Sequence, residues 1–170
     1  MPLSIRPLHP TPTTLAQLQA VLEAAPTYYQ RVTGAVATAN EAAEVFNNDG
    51  LPVGDHTRHT FGFYQGEDLL GVADLLVGWP NARTATLGWL LFPEHLHGQG
   101  LGQQAYCLVE NHVYATFHTI THMRLSVVET NAAVMPFWRK QGFVPTGEVK
   151  PYQEGTITSQ AIIFAKELPQ

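Results

Sequence analysis

Apolar and polar positions along this chain change period several times, and each change marks an element. Leu3 to Pro7 reads as a short strand closed by proline. From Thr13 onward, Leu15, Leu18, Val21 and Leu22 recur at helical spacing, with Thr13 or Thr14 placed to cap the helix and Pro26 to end it. A second helical region is predicted over Tyr28 to Asn48, broken near Gly34, with Ala42, Val45 and Phe46 facing inward. After the loop Asp49 to Asp55 the period shortens. Thr60 to Tyr64, Leu69 to Val77 and Thr84 to Phe92 read as successive strands. They are separated by a turn at Gln65–Asp68 and a break at Gly78–Arg83. The third strand is almost wholly apolar, as a strand covered on both faces should be.

The helical period returns after a glycine turn, where Leu101, Ala105, Leu108, Val109, His112 and Val113 share one stripe. Met123 to Val128 reads as a strand and Ala132 to Gln141 as a short helix ended by Gly142, with Pro136 acceptable only in its first turn. Two last strands, about Phe143–Val149 and Ser159–Lys166, flank a polar turn. The order predicts one α/β domain over residues 1–170, built on a single mixed, mostly antiparallel twisted sheet of about six or seven strands flanked by helices.

Composition narrows the function classes. A hydrophobic content of 45% with 14% charged residues describes a globular chain. Nine Lys+Arg against fourteen Asp+Glu, a net charge of -5 with no basic block, argues against a nucleic-acid partner. Acidity mildly favours a cationic acceptor through steering. The single Cys107 excludes an internal disulfide and a multi-thiolate metal site. No stretch approaches the roughly 18 apolar residues of a membrane span, and the start of the chain carries no secretory signal pattern. A cytoplasmic location with no membrane partner is the expectation.

The candidate chemistry lies in His97-Gly98-Gln99-Gly100-Leu101-Gly102-Gln103, between a strand and a helix. Glycines at alternate positions let backbone N–H groups approach a ligand, and the following helix adds unpaired donors and the positive end of its dipole. Such a turn suits a phosphate or pyrophosphate. It is not a Walker loop, because Gln103-Gln104 stand where Lys-Ser/Thr is required. It also lacks the final small residue of the dinucleotide fingerprint, since Gln103 is there.

A second motif, Asn131-Ala132-Ala133-Val134-Met135-Pro136-Phe137-Trp138-Arg139-Lys140-Gln141-Gly142-Phe143, follows one strand later. Together the two segments resemble the GNAT superfamily of acyl-CoA-dependent N-acyltransferases. That family carries Arg/Gln-x-x-Gly-x-Gly/Ala after its fourth strand, then Asn, an aromatic pair and Gly-Phe; the matching span runs from about Thr84 to Phe143. The resemblance implies a splayed sheet, opening beyond Phe92, with acetyl-CoA as co-substrate and an amine as acceptor. It implies that backbone N–H groups of Gly98, Gly100, Gly102 and Gln103 hold the pyrophosphate, with His97, Gln99 and Leu101 as the other cofactor-binding positions of the turn. Leu90, Leu91 and Phe92 would offer a strand edge to the pantetheine amides. Asn131 would bond the pantetheine arm, although a plain helix cap is the competing role. Phe137 and Trp138 would pack on the cofactor. A homodimer is implied by the family alone.

Two departures stand out. His97 occupies the usual Arg or Gln position, so a protonated imidazole would make affinity depend on pH between about 6 and 8. Trp138 stands where many members have the tyrosine that protonates the leaving thiolate, and indole has no acid chemistry at neutral pH. Tyr106, Cys107 and Tyr152 are the remaining candidates for that proton. Asp74, inside an apolar strand, and Glu129, at a strand end, are candidate bases, with Glu148 behind them. Tyr28, Tyr29, Trp79 and Trp89 are candidates for the acceptor pocket or for core. The histidine pairs 56/59, 95/97 and 118/122 lack cysteine or glutamate partners at metal-site spacing, so no metal is expected. Three acceptor readings stay open: a small-molecule amine, a protein N-terminus or lysine, or a non-catalytic acyl-CoA-binding module.

Overall fold

A computed structural model describes residues 1–170. Its first helix, α1 (Pro12–Glu23), is capped by Thr11 and not by Thr13 or Thr14: the Thr11 hydroxyl accepts from the Thr14 N–H at 3.2 Å. Pro12 explains the shift, because a proline with preset φ and no N–H to satisfy fits the first helical position. Pro26 likewise ends one helix by beginning the next, α2 (Pro26–Thr33), which Gly34 closes at φ 76°. The region expected as one broken helix is therefore α2 plus a short α3 (Glu41–Val45). Ala42 and Val45 are buried there as the pattern requires.

Seven strands form one sheet: β1 (Ser4–Pro7), β2 (Thr57–Gln65), β3 (Asp68–Val77), β4 (Thr84–Leu91), β5 (His122–Val128), β6 (Val144–Glu154) and β7 (Ile157–Glu167). Their order is β1-β2-β3-β4-β5-β7-β6, antiparallel throughout except for β4 beside β5. Two boundaries differ from expectation. β2 begins at Thr57, and the β6–β7 hairpin extends to a tight turn at Gly155–Thr156. Both extensions are polar, and β6 is an edge strand exposed along nearly its whole length, so no apolar alternation marks it in the sequence.

The sheet is covered on both faces. Phe63, Leu75, Leu87, Met123, Leu125 and Phe164 turn toward α4 (Leu101–Thr116), whose Ala105, Val109 and Val113 are fully buried against them. Leu18 and Leu22 of α1 and Tyr29 of α2 pack on the other face against Val72 and Leu91. Full burial of a leucine is worth roughly 2 kcal/mol, so Leu18 and Leu22 are main anchors of the first helix on the sheet. After β5 the chain makes a 3-10 turn, Glu129–Val134, before α5 (Met135–Lys140). The helix predicted from Ala132 is thus divided, with Pro136 in the first turn of its second part.

The parallel seam holds the site open. β4 and β5 pair only at Thr84–His122, Ala85–Met123 and Thr86–Arg124. The strands part immediately beyond Thr86, well before the expected opening at Phe92. On the other edge of β4 the register slips so that Asp74 faces Trp89 while Leu75 faces Leu87, leaving Gly88 as an extra, bulged residue. A bulge at that point adds twist and turns the end of β4 away from β5.

Candidate active site

The glycine turn lies at the mouth of that opening. Gly98 and Gly100 have φ of 76° and 77°, a region that side-chain-bearing residues enter only with strain. Nothing lies within 4 Å of where a Cβ on Gly98 would be. No backbone hydrogen bond is donated by Gly98, Gln99, Gly100, Leu101, Gly102 or Gln103; the first in α4 runs from Gln104 to the Gly100 carbonyl at 3.2 Å. Six consecutive N–H groups therefore gather at the positive end of a 16-residue helix with no protein acceptor. Gly102 is small for a different reason. The Phe137 ring of α5 lies 3.4 Å from the position its Cβ would take, which seats α5 against the turn.

His97 braces the turn from below. Its Nε2 stands 3.0 Å from the Phe92 carbonyl, which only accepts, so this nitrogen carries the hydrogen. Leu91 and Phe92 are buried with their side chains on opposite faces, in the α1–α3 and α4 cores respectively. Beyond Thr86 the β5-facing backbone edge of β4, through Leu90, has no strand partner. Across the gap, Asn131 sits at a kink in the 3-10 turn with φ -111° and ψ 27°. It caps no helix. Its Oδ1 accepts from Arg31 of α2 at 3.4 Å, which leaves the Nδ2 amide for another acceptor. Thr130 beside it donates to the Arg31 carbonyl at 2.6 Å, tying α2 to the end of β5.

On the α1–α3 face the bulge is surrounded by aromatic and charged groups. Tyr28 and Trp89 lie 6.4 Å apart between ring centres, and Tyr28 meets Tyr29 edge-on at 5.3 Å. Burial pushes both tyrosine hydroxyls far above their ordinary range, keeping them protonated. Tyr29 belongs to the core. Asp74, buried, accepts from Arg58 Nε at 2.9 and 3.1 Å and from the Thr60 hydroxyl at 2.9 Å. Arg58 in turn donates to the Asn47 carbonyl at 2.8 Å, so the loop after α3 is locked to the sheet. Asp74 Oδ2 lies 3.4 Å from where a Gly88 Cβ would be, which places this carboxylate beside the bulge. Glu129 is exposed on the 3-10 turn, and the structure does not bring it together with Asp74 by any bond.

The chain matches the sequence profile of the acetyltransferase (GNAT) family over residues 18–143. It belongs to that family. The match spans both motifs and the seam between them. No curated protein matches the sequence. Solved structures share the fold across nearly the whole chain. An acetyltransferase from Thermus thermophilus is 23% identical with a TM-score of 0.72, covering 99% of this chain and 98% of that one. Spermidine N-acetyltransferase from Vibrio cholerae, in complex with CoA and spermine, is 14% identical with a TM-score of 0.72, over 97% and 95% of the two chains. Ribosomal-protein-S18-alanine N-acetyltransferase from Escherichia coli is 18% identical with a TM-score of 0.67, over 99% and 96%.

In this GNAT acetyltransferase Trp138 belongs to the core. It is buried in an aromatic nest with Phe137, Phe143 and Tyr106, at centroid distances of 4.8, 5.6 and 5.8 Å. Tyr106 lies beneath it with its hydroxyl unbonded and its pKa pushed far up by burial. Tyr152 donates to the Val32 carbonyl at 2.7 Å, and Cys107 is exposed on α4. Glu148 stands on β6, 3.4 Å from Lys150 and 4.0 Å from Arg124.

Sequence reasoning missed three residues. Arg58 completes the ion pair that Asp74 needed, and a buried carboxylate in an apolar strand announces that some cation must face it. Arg124 is the same signal with opposite sign, a buried guanidinium in a strand that otherwise reads apolar. Glu94 is the third. Its carboxylate accepts from the Thr27 N–H at 2.5 Å, closing the start of α2, and that bond holds its carboxyl below the usual range. Nothing local to Glu94 marks it, because the residue it serves, Thr27, lies 67 residues earlier.

Proposed function

We propose that this chain transfers the acetyl group of acetyl-CoA directly to the primary amine of a small molecule. The observation that carries the reading is the run of six unpaired N–H groups, Gly98 to Gln103, continuous with the unpaired edge of β4. Acetyl-CoA supplies the activated thioester; the chain supplies orientation. Gly98, Gln99, Gly100, Leu101, Gly102 and Gln103 bind the pyrophosphate through backbone donors, with His97 bracing the turn. The edge of Leu90, Leu91 and Phe92 pairs with the pantetheine amides as an added strand would. Asn131 Nδ2 bonds the arm from the opposite side. Phe137 packs over the turn, while Trp138 supports it from the core. Backbone donors after the Gly88 bulge polarise the thioester carbonyl.

Asp74 is the carboxylate placed beside the bulge to orient the amine and draw off its proton; Glu129 stays in solvent. Tyr106 and Trp138 are buried in the aromatic nest and Tyr152 is bonded to the Val32 carbonyl, so solvent protonates the departing thiolate. A small acceptor is favoured by the β6–β7 hairpin, whose tip is fixed to α2. Thr156 N–H bonds the Thr33 carbonyl at 3.0 Å, and a Cβ on Gly155 would meet that same carbonyl oxygen. This closes one end of the acceptor face to a passing polypeptide.

The test is a calorimetric titration with acetyl-CoA and free CoA, followed by thiol release against small amines and peptides. Micromolar binding with turnover on free amines is expected. Asp74→Asn should lower kcat/KM roughly 100-fold without changing coenzyme affinity. Folded protein that binds neither coenzyme would overturn the proposal, and turnover on peptides alone would overturn the small acceptor.

A further inference from the structure

A single buried cation on the acceptor face forms no hydrogen bond. Arg124 lies on β5 directly opposite Thr86, the last paired residue before the seam opens, so its side chain stands at the base of the gap. Its side chain is 10% exposed. The guanidinium packs over the Trp79 ring at 4.8 Å, and its one acidic neighbour, Glu148, is 4.0 Å away, too far for a hydrogen bond. Glu148 is half-exposed and also faces Lys150 at 3.4 Å. Arg58, the other buried arginine of this face, differs in kind: it makes short bonds to Asp74 and to the Asn47 carbonyl. A guanidinium presents five donors, and those of Arg124 keep slight contact with solvent while making no hydrogen bond to the protein, so an entering ligand can use them.

The surroundings point the same way. Arg124 lines a cavity of about 380 Å³ with Arg83, Thr84, Thr121 and His122, and no carboxylate contributes to its wall. The cavity runs along the seam at the closed end, while the unpaired edge of β4 begins at the other side of Thr86.

We infer that Arg124 binds a carboxylate on the acceptor, so that the substrate is an amino-acid-like molecule carrying both an amine and a carboxylate. This rests on the acetyl-transfer reading above. The planar fork of the guanidinium matches a carboxylate in two parallel bonds, and Trp79 behind it keeps the fork flat and oriented. The carboxylate enters at the base of the gap and the amine points up the seam toward the bulge at Gly88, beside Asp74. Binding then selects acceptors by the separation of their two charged ends.

Matched sets of acceptors test this: amino acids of increasing amine-to-carboxylate spacing, their carboxamides, and the corresponding decarboxylated amines, each assayed by thiol release. On the wild-type protein the carboxylate member of the best set should exceed its carboxamide at least tenfold in kcat/KM, mostly through KM. Arg124→Gln should erase that preference while leaving calorimetric acetyl-CoA affinity and carboxamide turnover within about threefold; Arg124→Lys should recover part of it. The wild-type panel does not depend on any variant folding. Equal or better turnover of carboxamides or decarboxylated amines overturns the inference while the transferase reading stands. So does intact coenzyme binding with no turnover of any carboxylate-bearing member. Loss of coenzyme binding by the wild-type protein overturns both.

Discussion

Two helices begin beside the end of β4, and they are finished in opposite ways. The start of α2 is closed by Glu94, whose carboxylate accepts from Thr27 N–H, and the Glu94 N–H itself reaches back to the Ala24 carbonyl at 2.8 Å. The start of α4 is left bare, with glycine at its cap and six N–H groups without acceptors. Both ends carry the same partial positive charge by virtue of being helix N-termini. Only one keeps it for a ligand. A glycine-rich entry is therefore half of an anion site; the other half is the absence of a side-chain carboxylate that would cap the helix internally.

The most forceful way to break the contrast is to make α4 resemble α2. Gly100→Glu places a carboxylate at the bare end, where only the Gln104 amide comes as near as 4.0 Å to the new Cβ, so the fold has room for it. Repulsion and the cost of positive φ should weaken acetyl-CoA binding about 100-fold, near 2.7 kcal/mol, by calorimetry. Affinity within threefold of wild type would show that the turn does not hold the anion. Asn131 comes next, because it ties the 3-10 turn after β5 to the last turn of α2 through Arg31. Asn131→Ala should cost about tenfold in coenzyme affinity, near 1.4 kcal/mol, and an unchanged dissociation constant would assign Asn131 to bracing alone.

How much of this contrast is legible in the sequence depends on range. The bare end of α4 is written locally, in Gly98, Gly100 and Gly102 against an apolar helical stripe, and strand order follows from periodicity. The closed end of α2 is not, since Glu94 and Thr27 meet only after the sheet has assembled. The same distinction separates Asp74, visible as a charge in an apolar strand, from Arg58, whose strand begins in a polar stretch that reads as loop. Periodicity misplaces the point where the seam opens because register, set by the Gly88 bulge and the pairing of Thr86 with Arg124, leaves no mark in hydrophobic pattern.

A gentler perturbation opens the other helix. Glu94→Gln should lower the melting temperature while leaving acetyl-CoA affinity within twofold, because the two helix starts serve different partners. The sign with pH follows from its carboxyl being held below the ordinary 4.5. Its contribution is fully present above that value and is lost as the pH falls through the lower folded-state pKa. Wild type and variant should therefore converge in stability only in acid, below about pH 4, in parallel thermal melts. Convergence at neutral pH would mean that the bond carries nothing. Smallest is the effect at His97. Its Nε2 bond to the Phe92 carbonyl braces the turn, so His97→Ala should loosen the glycines without removing their N–H groups. Coenzyme affinity of that variant should fall a few-fold by calorimetry, and an unchanged dissociation constant would remove His97 from the site.

The most direct test of the bare helix end is an amide NMR titration of the wild-type protein with acetyl-CoA. The N–H resonances of Gly98 to Gln103, together with those of Trp89 to Leu91 along the open edge of β4, should move with one dissociation constant while Thr27 at the closed start of α2 stays in place. Shifts at Thr27 without shifts at Gly98 to Gln103, or no shifts in either, would contradict the account.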